Sequence, residues 1–187
     1  IKFICTGGSV DFRQRWFNCA KCQRFRWNPA RNSVIRHHIT EHVDHLFAIS
    51  HALQTALRAN GYGGAEVVYN GVDLTWWGKG DESRFRTVHS LGGVPFALLA
   101  ARVSREKGAE AALAAVARSR NSDLHLVIAG ENQRYIPKLQ QMANHLGISD
   151  RLHLPGWLAP ATLRDAYAAA NLTLAPSTYP DPFNLTL

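Results

Sequence analysis

The second half of the chain alternates short apolar runs with segments of helical composition, and this rhythm strongly limits the folds open to it. The four strand-type runs are 95–103, 124–130, 151–156 and 171–177, and the three helix-type segments between them are 108–120, 133–147 and 160–170. Strands that are joined through intervening helices form a parallel sheet covered on both faces. The sequence therefore predicts a Rossmann-like α/β domain.

Cationic residues and glycines follow the ends of the predicted strands. Arg102 and Lys107 follow the first strand, and Gly130 and Glu131 follow the second. Because open α/β sheets bind ligands at the carboxyl ends of their strands, we expect these loops to meet at one site. The chain has neither a G-x-G-x-x-G dinucleotide fingerprint nor a P-loop. An anion would therefore be held by side-chain cations and by N–H groups at helix starts; the alternative is that both cations are solvated turn charges.

Charge is unevenly distributed along the chain. Residues 1–60 hold nine Lys and Arg against three Asp and Glu, a net charge of +6, whereas residues 61–187 hold twelve against eleven, a net charge of +1. A basic segment joined to a nearly neutral one indicates two units, which we place at 1–68 and 69–187. Three cysteines, an odd number, and a start without a signal-peptide pattern favour the cytoplasm.

Five short stretches, in this order, resemble the nucleotide-sugar-binding domain of the retaining GT-B glycosyltransferases of family 4 (glycosyl transferases group 1). They are VVYNGVD (67–73), ARVSREKG (101–108), VIAG (127–130), LPGW (154–157) and PSTYPDPFNL (176–185). Upstream, residues 45–62 resemble the last strand and helix of the family's acceptor-binding domain. The resemblance implies a fragment: residues 1–68 would be the end of the acceptor-binding domain with a basic, cysteine-containing arm. Residues 69–187 would be a truncated nucleotide-sugar-binding domain, inactive alone.

The resemblance also implies a reaction. The intact protein would transfer a sugar from a nucleoside diphosphate sugar to a saccharide, lipid-linked or other hydroxyl acceptor, with retention of configuration and without a metal or cofactor. Arg102 and Lys107 would hold the donor diphosphate, and Asp181 would contact hydroxyls of the donor sugar. Asp181 and Asn184 depart from the Glu and Gly of the family pattern.

The remaining donor contacts implied by the resemblance lie after the second, third and fourth strands. They are Gly130, Glu131, Leu154, Gly156, Trp157, Leu158, Phe183, Asn184 and Leu185. For Trp157, the residue type itself favours a place in the hydrophobic core over contact with the nucleoside.

The basic segment allows a second class of function. Cys19 and Cys22, followed by His37 and His42, approximate a zinc-finger spacing, and arginines alternate with aromatic residues nearby. The alternative to the transferase is therefore a non-catalytic, zinc-stapled, nucleic-acid-binding α/β protein. The main expectation is that no metal binds. A solvated surface arm, or attraction to an anionic membrane face, explains the same charge.

Overall fold

The computed structural model describes residues 29–59 and 61–178, which form two compact units that divide between Gly71 and Val72. The first unit contains helix α1 (Pro29–His42), strand β1 (Phe47–Ala48), helix α2 (His51–Ala59) and strand β2 (Glu66–Val67). The two strands pair in parallel. The strand and the helix expected within 45–62 are present as β1 and α2, whereas α1 and β2 were not predicted.

The first unit has a small core. Its buried members are Ala48, Leu57, Tyr62 and Ala65. The carboxamide of Gln54, on α2, donates to the carbonyl of Ala65 at 2.7 Å and so holds the helix against the approach to β2. Among the residues of this unit that the structure describes, this cluster supplies little hydrophobic stabilisation.

The second unit begins with two short helices and then alternates strands and helices. Its elements are helix α3 (Leu74–Trp77), helix α4 (Glu82–Val88), strand β3 (Phe96–Ala100), helix α5 (Ala109–Ala117), strand β4 (His125–Ala129), helix α6 (Ile136–His145), a 3₁₀ turn (Ser149–Arg151), strand β5 (Leu152–Gly156), helix α7 (Pro160–Ala169) and strand β6 (Leu172–Thr173). All four strands and all three helices predicted after residue 94 are confirmed. Pro137 lies in the first turn of α6, and Gly147 follows that helix with a φ of +68°, as expected for a helix start and stop.

The four strands of the second unit form one parallel sheet in the order β5-β4-β3-β6. β3 and β4 pair along their whole length, from Phe96 beside His125 to Ala100 beside Ala129. The chain builds the sheet outward from β3 through β4 to β5 and then returns to the other side of β3 with β6. The order therefore reverses between β3 and β6, as at the ligand-binding switch point of Rossmann-like sheets.

Both faces of this sheet are covered, because successive residues of β3 point to opposite sides. One core lies under α5 and α6; its buried members are Ala97, Leu99, Val103, Ala109, Ala112, Leu113, Val116, Leu126, Ile128, Leu139, Ala143 and Ile148. The other lies under α4 and α7; its buried members are Phe85, Leu91, Phe96, Leu98, Ala100, Val127, Ala129, Ala166 and Ala169. All five residues of β3 are buried, which explains its uninterrupted apolar sequence.

The helices α3 and α4 were not predicted. Each begins at an aspartate whose carboxylate accepts a backbone N–H of the first turn: Asp73 accepts from Trp76, and Asp81 accepts from Arg84, both at 3.0 Å. This is the ordinary N-cap arrangement. Within residues 29–59 and 61–178, no helix has the length and apolar content to cross a membrane.

Candidate functional site

The loops that follow β3 and β6 meet at the switch point of the sheet. Gly108, the last residue before α5, has a φ of +78°, and a Cβ atom placed on it would lie 1.9 Å from the carbonyl oxygen of Pro176. The backbone N–H of Thr178 donates to the carbonyl of Glu106 at 2.9 Å. Only glycine allows so close an approach, so the two loops share one backbone junction.

Both predicted cations belong to the loop after β3, which forms one side of this junction. Arg102 follows β3 by two residues, and its side chain is exposed. Lys107 is half-buried and immediately precedes Gly108; its backbone N–H donates to the buried Ser104 hydroxyl at 3.3 Å. Arg105 lies between them in sequence and is also exposed. Exposure alone therefore does not show which of Arg102 and Arg105 is the better candidate for contact with a ligand.

The loop after β4 contacts the loop after β3. A Cβ atom on Gly130 would lie 1.9 Å from the carbonyl oxygen of Ala101, so the glycine lets the backbones of the two loops come into contact. The side-chain amide of Asn132 donates to the carbonyl of Val103 at 2.9 Å. Gly130 also joins β5, because its N–H donates to the carbonyl of Gly156 at 2.8 Å. The loops after β3, β4 and β5 are thus connected by backbone contacts.

The residues at the end of β5 have different surroundings. Leu154 packs against the core under α5 and α6, whereas Leu158 packs against the core under α4 and α7. Trp157 between them is 64% exposed, so the alternative that it is a core residue is wrong. An exposed indole at the carboxyl end of a parallel strand offers a flat apolar surface to a ligand.

An electrostatic cluster holds α6 to α5 next to this edge. The Tyr135 hydroxyl and the Lys138 ammonium group both donate to Glu110 at 2.5 Å. Burial and the hydrogen bond to Glu110 raise the pKa of Tyr135 to about 12. The bonds from Lys138 and Tyr135 lower the pKa of Glu110. Glu110 is therefore an anion whose hydrogen bonds serve to hold the two helices together.

Several predicted site residues lie outside the described residues. They are Asp181, Phe183, Asn184, Leu185, Cys19 and Cys22. His37 and His42 lie on α1 with exposed side chains and ring centroids 6.4 Å apart. Among the residues that the structure describes, no three His, Cys, Asp or Glu side chains come together in a way that could hold a metal ion.

The structure therefore brings Arg102, Lys107, Gly130 and Gly156 to one edge of the sheet, with Glu131 exposed beside Gly130. Two cations and the start of the nine-residue helix α5 provide a positive edge that suits a phosphate group. Sequence reasoning missed Asn132, because its contact with the Val103 carbonyl exists only in the folded chain.

Comparison with known proteins agrees with this architecture. The profile of the family described as Glycosyl transferases group 1 matches residues 81–187. Comparison with curated protein sequences finds no significant match.

Solved structures share the fold at low sequence identity. Anabaena HepE in complex with UDP and glucose aligns with a TM-score of 0.74 and 24% identity, over 84% of this chain and 44% of its own. Sucrose-phosphate synthase from Thermosynechococcus elongatus aligns with a TM-score of 0.71 and 21% identity, over 95% of this chain and 45% of its own. A glycosyltransferase from Rickettsia africae aligns with a TM-score of 0.71 and 15% identity, over 83% of this chain and 44% of its own.

The chain thus spans less than half the length of these solved proteins, which are GT-B glycosyltransferases. The α/β class and the parallel sheet predicted from sequence are confirmed. Since the family profile covers more than half of the chain, the chain belongs to the Glycosyl transferases group 1 family.

Proposed function

We propose that this chain carries the donor-binding part of a glycosyltransferase that moves a sugar from a nucleoside diphosphate sugar to an acceptor hydroxyl. The observation that carries the proposal is that Arg102 and Lys107 lie in the β3 loop, which contacts the β4 loop at Ala101 and the β6 loop at Gly108. Membership of the family and the likeness to HepE, which was solved with UDP and glucose, support the same ligand class.

Arg102 and Lys107 have complementary roles in the proposal. The guanidinium of Arg102 presents a planar fork to two phosphate oxygens, and the Lys107 ammonium group supplies a compact charge beside the start of α5. The nucleoside diphosphate gains negative charge as the glycosidic bond breaks. Fixed cations stabilise that charge in the transition state without a metal ion.

The other donor contacts follow from the same placement. Trp157 and the backbone around Gly130 and Gly156 would contact the nucleoside, and Glu131 lies at the same edge. Asp181 would bind hydroxyls of the sugar, and residues 183–185 would approach the phosphate. We also propose that the intact protein belongs to family 4 and transfers the sugar with retention of its anomeric configuration.

The first unit has a different proposed role. We assign residues 29–71 to the end of an acceptor-binding domain, because their strand–helix–strand order continues the α/β pattern in a separate small core. The acceptor would be a saccharide or a lipid-linked hydroxyl. The excess of +6 over residues 1–60 suits an anionic membrane face, and we propose a cytoplasmic protein with peripheral membrane contact.

Ligand titration tests the proposal. UDP and GDP, each compared with uridine and guanosine as controls that lack the diphosphate, are titrated into the chain by calorimetry. A ligand that binds only the folded state also raises the melting temperature, and the rise grows with the logarithm of the ligand concentration above the dissociation constant. We expect one diphosphate to bind clearly more tightly than its nucleoside. Zinc-dependent RNA binding without diphosphate binding would favour the nucleic-acid-binding alternative instead.

A further inference from the structure

The carboxamide of Asn132 bridges the loops after β4 and β3. Its Nδ2 donates to the carbonyl oxygen of Val103 at 2.9 Å, and the bond is partly buried. Val103 is the residue directly after Arg102, and its own side chain is 1% exposed. The Asn132 amide therefore holds the peptide between Val103 and Ser104, one residue beyond Arg102.

The backbone is also held one residue before Arg102, at the peptide between Ala100 and Ala101. The N–H of Ala101 donates to the carbonyl of Ala129 at 3.0 Å, which extends the β3–β4 ladder by one bond. The Arg102 backbone thus lies between two hydrogen bonds to the segment around Gly130, while its side chain is exposed. A long side chain that starts from a fixed backbone loses less freedom when it grips a ligand.

Asn132 is itself held in place by the start of α6. Its carbonyl accepts the N–H groups of Tyr135 at 2.8 Å and Ile136 at 3.1 Å. Tyr135 is in turn bonded to Glu110 on α5. The contact between Asn132 and Val103 therefore connects the cation loop to two packed helices.

We propose that Asn132 is a positioning residue for the donor diphosphate, acting through Arg102. The inference rests on the proposed function, because it assumes that Arg102 contacts a nucleoside diphosphate. Asn132 itself touches the loop and not the ligand. Without its amide, the Val103 carbonyl loses a partner and the backbone that follows Arg102 is less restrained, so the guanidinium is presented in more than one direction.

A double-mutant cycle tests the proposal. The dissociation constant of whichever of UDP or GDP binds the wild-type chain is measured by calorimetry for Asn132→Ala, Arg102→Ala and the double variant. We expect Asn132→Ala to weaken binding by about threefold to tenfold in the wild-type background, the range for losing one neutral hydrogen bond. In the Arg102→Ala background the same change should have almost no effect, because coupled residues are non-additive.

Two further variants keep the test independent of folding. Asn132→Asp keeps the shape of the side chain but replaces the donor by an acceptor, and it should weaken diphosphate binding at least as much as Asn132→Ala. Asn121→Ala is the matched control: its Oδ1 accepts the N–H of Asp123 at 3.0 Å, before the start of β4. It should leave binding unchanged.

The outcomes separate the two hypotheses. If the wild-type chain binds neither diphosphate, the proposed function fails. If it binds one, but Asn132→Ala has no effect or weakens binding equally with and without Arg102, the proposed function stands and the positioning role is overturned.

Discussion

Asp165 accepts a hydrogen bond from Nε of Arg84 at 2.7 Å and a second one from the same guanidinium, and so joins α7 to α4 across the face of the sheet. Its other oxygen accepts the N–H of Asp81 at 2.9 Å. The carboxylate is 2% exposed, whereas the Arg84 side chain is 54% exposed. Burial by itself raises the pKa of Asp165, but these bonds and the charges of Arg84 and Arg164 outweigh it and leave the pKa below its usual value.

Asp165→Ala should lower the free energy of unfolding by about 2–4 kcal/mol. The change leaves the Asp81 N–H and one edge of the Arg84 guanidinium without their partner and removes the bonds that a buried carboxylate makes to both. Urea unfolding of the chain measures the loss. Asp123→Ala, an exposed carboxylate before β4, is the control and should change stability by less than about 0.5 kcal/mol. Equal losses for the two variants would contradict a structural role for the bridge.

A pair of histidines predicts a pH dependence of stability. Nδ1 of His125 and Nε2 of His153 are 2.8 Å apart, on adjacent strands, and the rings are stacked. Burial lowers the pKa of His153, and repulsion from His125 and His89 lowers it further. Burial also lowers the pKa of His89, whose Nε2 is buried without a hydrogen-bond partner. His89 and His153 line a cavity of about 300 Å³ beside β4 and β5.

The sign of this dependence follows from linkage. The unfolded chain takes up protons near pH ~6.5, where His89 and His153 of the folded chain are still neutral, so acid favours the unfolded state. The stability of the second unit should be full above that pH and fall as the pH drops toward the folded pKa values. Thermal melts between about pH 5 and 8 measure it. His153→Gln should flatten the curve, whereas His145→Gln, an exposed histidine at the end of α6, should not. A His153→Gln curve as steep as that of the wild type would exclude His153 as the cause.

The three cations of the β3 loop should differ in their effect on ligand binding. Arg102→Ala and Lys107→Ala should each weaken diphosphate binding by about 1.5–3 kcal/mol, as expected for the loss of a charge-assisted hydrogen bond. Arg105→Ala should change it far less, because Arg105 has Glu110 nearby: after the bonds from Lys138 and Tyr135, its charge also lowers the pKa of that carboxyl. Calorimetry with UDP and GDP makes the comparison. Three similar, small losses would identify the loop as a surface charge cluster.

Two glycines with the same backbone conformation provide a test of the loop junction. Gly108 has a φ of +78° and no room for a Cβ atom, whereas Gly147 has a φ of +68° and nothing within 4 Å of that position. Gly147→Ala should cost about 1–2 kcal/mol of folding free energy, the strain of a left-handed alanine. Gly108→Ala adds a clash with the Pro176 carbonyl and should cost clearly more, and it should also weaken diphosphate binding. Equal costs in urea unfolding would show that the junction can open without loss.

The sequence predicts the strands and helices after residue 94 well, because each strand is a short apolar run and each helix between two strands has helical composition. Strand β3 is unambiguous, since its five residues are apolar without interruption and too few for a helix. The order of the strands was not predicted, because alternation implies parallel pairing but does not say on which side of β3 the next strand lies. The two capped helices α3 and α4 were missed because a single aspartate before a short mixed segment is a common pattern.

The candidate site was predictable only in part for a similar reason. Arg102 and Lys107 stand out because charge follows an apolar strand directly. Asn132 does not, since its role depends on a contact with the Val103 carbonyl that only the folded backbone creates. For Trp157 the residue type was misleading. A large apolar side chain favours burial, but β5 ends before Trp157 and the indole is exposed.

The contact between Gly108 and the Pro176 carbonyl also restricts how proteins with this arrangement can be redesigned. Because the two backbones touch, neither loop can be lengthened or shifted at that point without moving the other. To change a sugar preference, residues should be grafted beyond Thr178, where Asp181 is proposed to bind the sugar. A transplanted β3 loop should be accompanied by the β6 loop that it contacts. The β3 and β6 loops, with their proposed phosphate contacts, would then be kept together, and the segment beyond Thr178 would be the part to exchange.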